Sequence, residues 1–168
     1  MTPYTKAAAK YRPKKTRLLF VAEAPPSSID RYFYFENVKR DDWLWIALMK
    51  ELFPADWVST TSERQRKADW LLRFKNKGCQ LMDAVKEPIR GTHRKRVAAI
   101  EGGASKLIAE IEKIKPKQVI LVKATVHEAL FQKMKIAGLA VANQEPLPFP
   151  SSGRQQEFHC KFNRHWLG

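Results

Sequence analysis

Two short runs constrain the fold of this chain more than anything else in it. Arg17-Leu-Leu-Phe-Val-Ala22 and Lys117-Gln-Val-Ile-Leu-Val-Lys-Ala124 are apolar almost without interruption, yet far shorter than a membrane span. A strand with one wet face alternates polar and apolar residues. A strand that is apolar throughout must be covered on both faces, as in a parallel sheet between helices. Cys79-Gln-Leu-Met-Asp-Ala-Val85 reads as another such strand, and residues 139–142 as a fourth. Helical patterns lie between them. From Asp41 the apolar residues Leu44, Ile46, Ala47, Leu48, Met49, Leu52 and Phe53 recur at helical spacing and stop at Pro54, predicting a helix over 42–53. Ser62 and Gln65 have capping-box spacing ahead of Trp70, Leu71, Leu72 and Phe74, with Gly78 as the stop. Leu107, Ile108, Ile111 and Ile114 give a further apolar helical face, and Thr125 is placed to cap a helix near 126–136. The alternation predicts a single-domain, three-layer α/β/α fold. Its short, mostly parallel, four-stranded sheet would carry the site at the carboxyl ends of the strands.

The totals narrow the partner. With 168 residues at 44% hydrophobic composition the chain can bury one sizeable core, here assigned to residues 17–168. The first 17 residues carry Lys6, Lys10, Arg12, Lys14, Lys15 and Arg17 with no acid, and residues 1–16 read as a flexible basic arm, with a mitochondrial transit peptide as the rival reading. A formal charge of +14 calls for an acidic partner, and nucleic acid comes first. Anionic membrane is the weaker alternative, because the basic residues are spread along the chain and no apolar run approaches 18 residues. Lys86-Glu-Pro-Ile-Arg-Gly-Thr-His-Arg-Lys-Arg96 reads as a basic loop whose Arg90, Arg94, Lys95 and Arg96 contact phosphates. Cys79 and Cys160 form no CxxC pair, so this chain alone builds neither a zinc site nor an iron–sulfur cluster, and both read as free thiols. The expectation is a monomeric, cofactor-free, metal-free DNA-binding protein of the cytoplasm, associated with the nucleoid, or of mitochondria or nucleus in a eukaryote.

Four segments, in order, give the chain a family likeness. Val21-Ala-Glu-Ala-Pro-Pro26 follows the first strand, Gly78-Cys-Gln-Leu-Met-Asp-Ala-Val-Lys-Glu-Pro88 holds the middle one, Pro116-Lys-Gln-Val-Ile-Leu-Val-Lys-Ala-Thr-Val-His-Glu-Ala-Leu130 spans the third strand and its helix, and Leu147-Pro-Phe-Pro-Ser-Ser-Gly153 comes last. Together they resemble the uracil-DNA glycosylase superfamily. The likeness is nearer its mismatch-specific and hypoxanthine branches than its iron–sulfur branch, whose cluster cysteines are missing here.

The resemblance implies that a base is rotated out of the duplex into a pocket and its glycosidic bond hydrolysed. Glu23 would then be the carboxylate that orients water and stabilises the sugar cation, a loop-capping acid being the plainer alternative. Ala24 and its loop amides would face the base, with Pro25 against DNA. Phe35 would stack on the base, unless it is core packing. Asp42, in Asp-Trp-Leu-Trp45, falls near a catalytic asparagine of the hypoxanthine branch and serves equally as a helix N-cap. Asp83 stands where the uracil-specific branches read the base with asparagine; as a carboxylate it accepts and cannot donate. Phe149 and Ser151 would line the base pocket, with Ser152, Gly153 and Arg154 against DNA. Arg154 would be a wedge filling the space of the flipped nucleotide, or an ordinary phosphate contact. Phe149 replaces the histidine of several branches, and Ala24 replaces an aspartate or asparagine. Both departures weaken the catalytic expectation. His93, His127, His159 and His165 lie outside the motifs and read as surface or packing residues. The chain thus reads as a monofunctional DNA glycosylase acting on a deaminated or mismatched base such as uracil or hypoxanthine. The alternative is a catalytically degenerate nucleic-acid-binding protein of the same fold; a nucleotide hydrolase or an unrelated basic protein stand behind these.

Overall fold

The computed structural model describes residues 1–165, so the end of the expected domain, residues 166–168, lies outside the described residues. In chain order the elements are α1 (Pro3–Lys10), β1 (Leu18–Ala22), α2 (Trp43–Leu52), α3 (Thr60–Arg64), α4 (Lys67–Asn76), β2 (Cys79–Asp83), α5 (His93–Ile114), β3 (Gln118–Leu121), α6 (Ala124–Ile136) and α7 (Gln155–His165). The sheet is parallel and runs β2-β1-β3, with Ala22 opposite Asp83 and Val21 opposite Leu121.

The apolar strands are buried on both faces, as their sequences require. Leu18, Phe20 and Ala22 of β1 point into a core made with α2, α4 and α7, whereas Leu19 and Val21 point into one made with α5 and α6. β1 is therefore the central strand, sealed on every side. Gly78 ends α4 as expected: it takes φ +79°, a conformation that disfavours any side chain, and a Cβ there would meet Arg17 at 3.0 Å.

The expected fourth strand does not form as a strand. Residues 140–147 run parallel beside β3 and make only isolated bridges, Val119 to Val141 and Val122 to Leu147. Between them the buried Asn143 substitutes its side-chain amide for backbone, accepting from Leu121 N at 2.9 Å and donating to Leu121 O at 3.0 Å. The edge of β3 is thus satisfied without the regular ladder that periodicity anticipates.

Residues 1–16 are not a flexible arm throughout. Thr2 caps α1, Tyr11 is buried at 1% exposure, the Tyr4 hydroxyl donates to Pro26 O at 3.0 Å, and Lys10 pairs with Glu36. Charge alone suggested an arm; Tyr4, Ala7, Ala8 and Tyr11 supply the apolar side that holds the segment down.

Three local expectations also shift. Ser59, not Ser62, caps the first of two short helices, taking the Ser62 N–H at 3.2 Å. The basic segment 86–96 is a loop only to Thr92, which caps α5 by accepting from Lys95 N at 3.4 Å, so Arg94, Lys95 and Arg96 occupy a helical turn. Thr125 does not cap α6; its hydroxyl is turned to Glu23. Both cysteines are free, Cys79 buried and Cys160 exposed. Among the described residues no helix is long and apolar enough to cross a membrane.

Candidate functional site

In a sheet of order 2-1-3 the connections leave β1 and β3 on opposite faces, and a crevice opens beyond their carboxyl ends. A cleft of about 800 Å³ lies there, lined by Ala22 at the end of β1 and Glu23 after it, Asp83 of β2, and Lys123 to Thr125 after β3. Prolines and aromatic rings wall it, including Tyr32, Phe33, Trp43, Trp45 and Phe149. Arg31, Arg96, Lys123, Arg154 and Lys161 give it a basic rim, and the first turns of α5 and α6 add the positive ends of their dipoles.

Glu23 is the most heavily engaged group. It is 7% exposed, with Oε1 taking Lys123 Nζ at 2.7 Å and Arg96 Nη1, and Oε2 taking the Thr125 hydroxyl. Burial alone would raise its pKa. Lys123, Thr125 and Arg96 outweigh that and hold the carboxyl below its ordinary value, so it is ionised at neutral pH. Lys123 itself adopts φ 86°, ψ 143°, a conformation rarely taken by a side-chain-bearing residue and costing on the order of 1–3 kcal/mol. Its N–H donates to Leu147 O at 2.7 Å, so one strained residue ties Glu23 to the 147–153 segment.

Asp83 has the opposite environment. It is 8% exposed, its Oδ2 accepts the neutral Tyr32 hydroxyl at 3.2 Å, and burial pushes its pKa up to about 7 despite Tyr32 and nearby Lys86. The linkage has a definite sign. The folded chain binds this proton more tightly than the unfolded chain, so the contribution is fully favourable below the ordinary carboxyl value of 3.8 and is lost as pH rises through about 7. Asp83→Asn should therefore leave stability near pH 4 little changed or lower and raise it at pH 8. Thermal melts at the two pH values check this, and equal effects at both would contradict the raised value.

Asp42 sits at the N-cap position of α2 without capping it. Its carboxylate, 0% exposed, takes Arg64 Nη2 at 2.7 Å and Lys67 Nζ at 3.3 Å, while Lys67 also lies 5.0 Å over the Trp45 ring. Burial pushes Lys67 down to about 8. The group is a largely buried ion network in the cleft wall.

Of the residues singled out in the sequence, Glu23, Ala24, Pro25, Asp42, Asp83, Arg96, Phe149, Ser151 and Arg154 border this one cleft. Arg90, Arg94 and Lys95 are exposed beside it, and Ser152 and Gly153 are exposed between Ser151 and Arg154. Phe35 does not line it: α1 lays Tyr4 against that ring at 5.8 Å, and Tyr32 and Phe33 are the rings of the segment that reach the cleft. Among the histidines only His93 borders it, paired with Glu128 at 2.6 Å. No protein-family model matches the chain, and the search of curated proteins finds no match. The functional reading therefore rests on the motifs and on this geometry.

Sequence reasoning missed Lys123, Thr125 and Tyr32. Lys123 had a usable signal, as the residue at the carboxyl end of the clearest buried strand, where such folds place ligand contacts. Thr125 had a misleading one, because a threonine before a helical pattern reads as a cap.

Proposed function

We propose that this chain binds DNA and hydrolyses the N-glycosidic bond of a flipped deaminated or mismatched base, as a cofactor-free glycosylase. The observation that carries the reading is Glu23: a buried carboxylate, held ionised, in a cleft with aromatic walls and a basic rim at the switch point of the sheet. Such a cleft matches the needs of base extrusion, with rings to cover the base, cations for the flanking phosphates and a negative charge beside the sugar, where positive charge develops. Incubation with duplexes carrying uracil, hypoxanthine, xanthine or a thymine mismatch, followed by alkali, should cut the strand at the modified base. Salt-sensitive binding with every strand left intact would sink the enzymatic reading.

One observation favours a second reading, a DNA-binding protein of the same architecture without chemistry. Both oxygens of Glu23 already accept hydrogen bonds from Arg96, Lys123 and Thr125, an arrangement that equally serves to fix two cations for phosphate contact.

Arg154 leads into α7 behind a turn closed by Arg154 N to Ser151 O at 2.9 Å, with Gly153 at φ +82°, and its guanidinium is braced by Glu157 at 2.7 Å. A braced arginine at the cleft mouth suits the wedge. Arg154→Ala should then reduce turnover on duplex about tenfold more than on single strands, about 1.4 kcal/mol. Equal losses on both would make it a phosphate contact.

A further inference from the structure

Cleaving a glycosidic bond leaves the base with an extra electron pair, which hydrogen-bond donors can stabilise as an anion and a proton donor can neutralise outright. Cations line the cleft in number, but lysine and arginine side chains do not release protons readily at neutral pH. His93 is held at its edge by Glu128. Asp83 remains. β1 and β2 pair in register with Ala22 beside Asp83, and Val85 N donates to Glu23 O at 3.0 Å, so the two carboxyl groups emerge from neighbouring strand ends into one cavity.

We propose that Asp83 is the proton donor to the departing base, forming with Glu23 an acid and carboxylate pair. The assignment rests on the glycosylase reading. Asp83 spends Oδ2 on the Tyr32 hydroxyl, and among the described residues Oδ1 has no hydrogen-bond partner and is left for the cleft. The groups around it are Tyr32 and Tyr34 from the loop after β1 and Lys86 from the loop after β2. Burial keeps both hydroxyls protonated, and the Lys86 ammonium, half-exposed, reaches the Asp83 backbone carbonyl at 3.4 Å and Glu110 at 3.8 Å rather than the Asp83 carboxyl. Among the described residues no cation bonds the Asp83 carboxyl, in contrast to the two that bond Glu23. The cleft thus separates two carboxyl groups by environment, one ionised and one poised near neutrality, which is how a single site runs acid and base steps together.

The bonds balance as follows. The bond from C1′ to the base nitrogen breaks and its electron pair stays with the base, which takes the proton from Asp83 Oδ1. Water oxygen bonds to C1′, and its surplus proton passes to the remaining lone pair of Glu23 Oε2. Exchange with solvent returns Asp83 to its acid form and Glu23 to its carboxylate.

The test is single-turnover base release by the full chain as a function of pH, with Asp83→Asn alongside. The wild-type rate should be level from about pH 5 to 6, where Glu23 is ionised and Asp83 protonated, and fall about tenfold per unit above about 7. Asp83→Asn keeps a hydrogen-bond donor but cannot give up a proton, so it should be slower by about 10²–10⁴-fold and lose the alkaline fall. A carbon-13 titration of the Asp83 carboxyl in the free protein gives a readout independent of turnover and of the variant's folding. A wild-type rate that stays level through about pH 8.5, an Asp83→Asn rate equal to wild type, or a carboxyl midpoint near the ordinary 3.8 would each overturn the assignment alone. Absence of base release by the wild type from every duplex would instead overturn the glycosylase reading, and the assignment with it.

Discussion

Replacing Glu23 with glutamine should lower the rate of base release by about 10²–10⁴-fold while leaving DNA bound as tightly as before, or more tightly. The size follows from what the substitution removes. Glutamine keeps the shape and one acceptor oxygen but not the negative charge, and that buried charge is the one placed to stabilise a sugar cation. Binding moves the other way because Arg96 and Lys123 are released from their carboxylate and become available to phosphate. Folding should change little. The two side chains are 28% and 34% exposed, so water can solvate them once the partner is gone. The ionised carboxylate also sets an acid limit. Its pKa is lower folded than unfolded, so its stabilising contribution is present above the ordinary value of 4.5 and is lost as pH falls through the folded value. Release rates measured with salt-dependent affinities separate the effects. A glutamine variant with wild-type turnover would remove Glu23 from the chemistry.

Asp42→Ala should destabilise the protein by about 3–5 kcal/mol, the cost of stranding a buried charge. Lys67 has 0% of its side chain exposed, and without Asp42 it keeps only the Tyr32 carbonyl at 3.5 Å and the Trp45 ring. Arg64, at 18% exposure, can turn to solvent; Lys67 cannot. Two further outcomes follow. The double variant Asp42→Ala, Lys67→Met should be more stable than Asp42→Ala alone, since an apolar chain replaces the orphaned ammonium. The penalty should also shrink as pH rises toward about 8 and level off above it: burial lowers Lys67 to about 8 in the wild type while Asp42 raises it, so without Asp42 the ammonium gives up its proton at lower pH, and above about 8 neither folded protein holds it. Denaturant unfolding of the three proteins at pH 7 and 9 checks both. A single-variant loss under about 1 kcal/mol would mean that the network is wet and ordinary.

These two acids show what the sequence could and could not disclose. Glu23 was legible because a fully apolar strand followed by two prolines has only one place to end, and the first polar residue after it faces the crevice. What Glu23 touches was not legible: Arg96 lies 73 residues away, Lys123 100 and Thr125 102. Asp42 was legible as the start of a helix, and its position is the cap position. Its partners come from α3 and α4, which local spacing places on no particular side of it. The same limit explains Phe35 and the amino-terminal segment together. Nothing within residues 1–16 says that Tyr4 will settle on the 32–35 ring cluster, and once it does Phe35 is covered and the segment is no longer free. The missing fourth strand has a local cause, since Asn143 supplies by side chain the hydrogen bonds a strand would make by backbone.

The most direct test of the proposed function is mass spectrometry of a duplex carrying one deaminated or mismatched base after incubation with the wild-type chain and with Glu23→Gln. The account predicts free base and a strand of unbroken backbone bearing one abasic deoxyribose from the wild type, with neither product from Glu23→Gln over the same time. A released nucleotide, a cut backbone, DNA recovered unchanged from the wild type, or equal yields from the two proteins would contradict it.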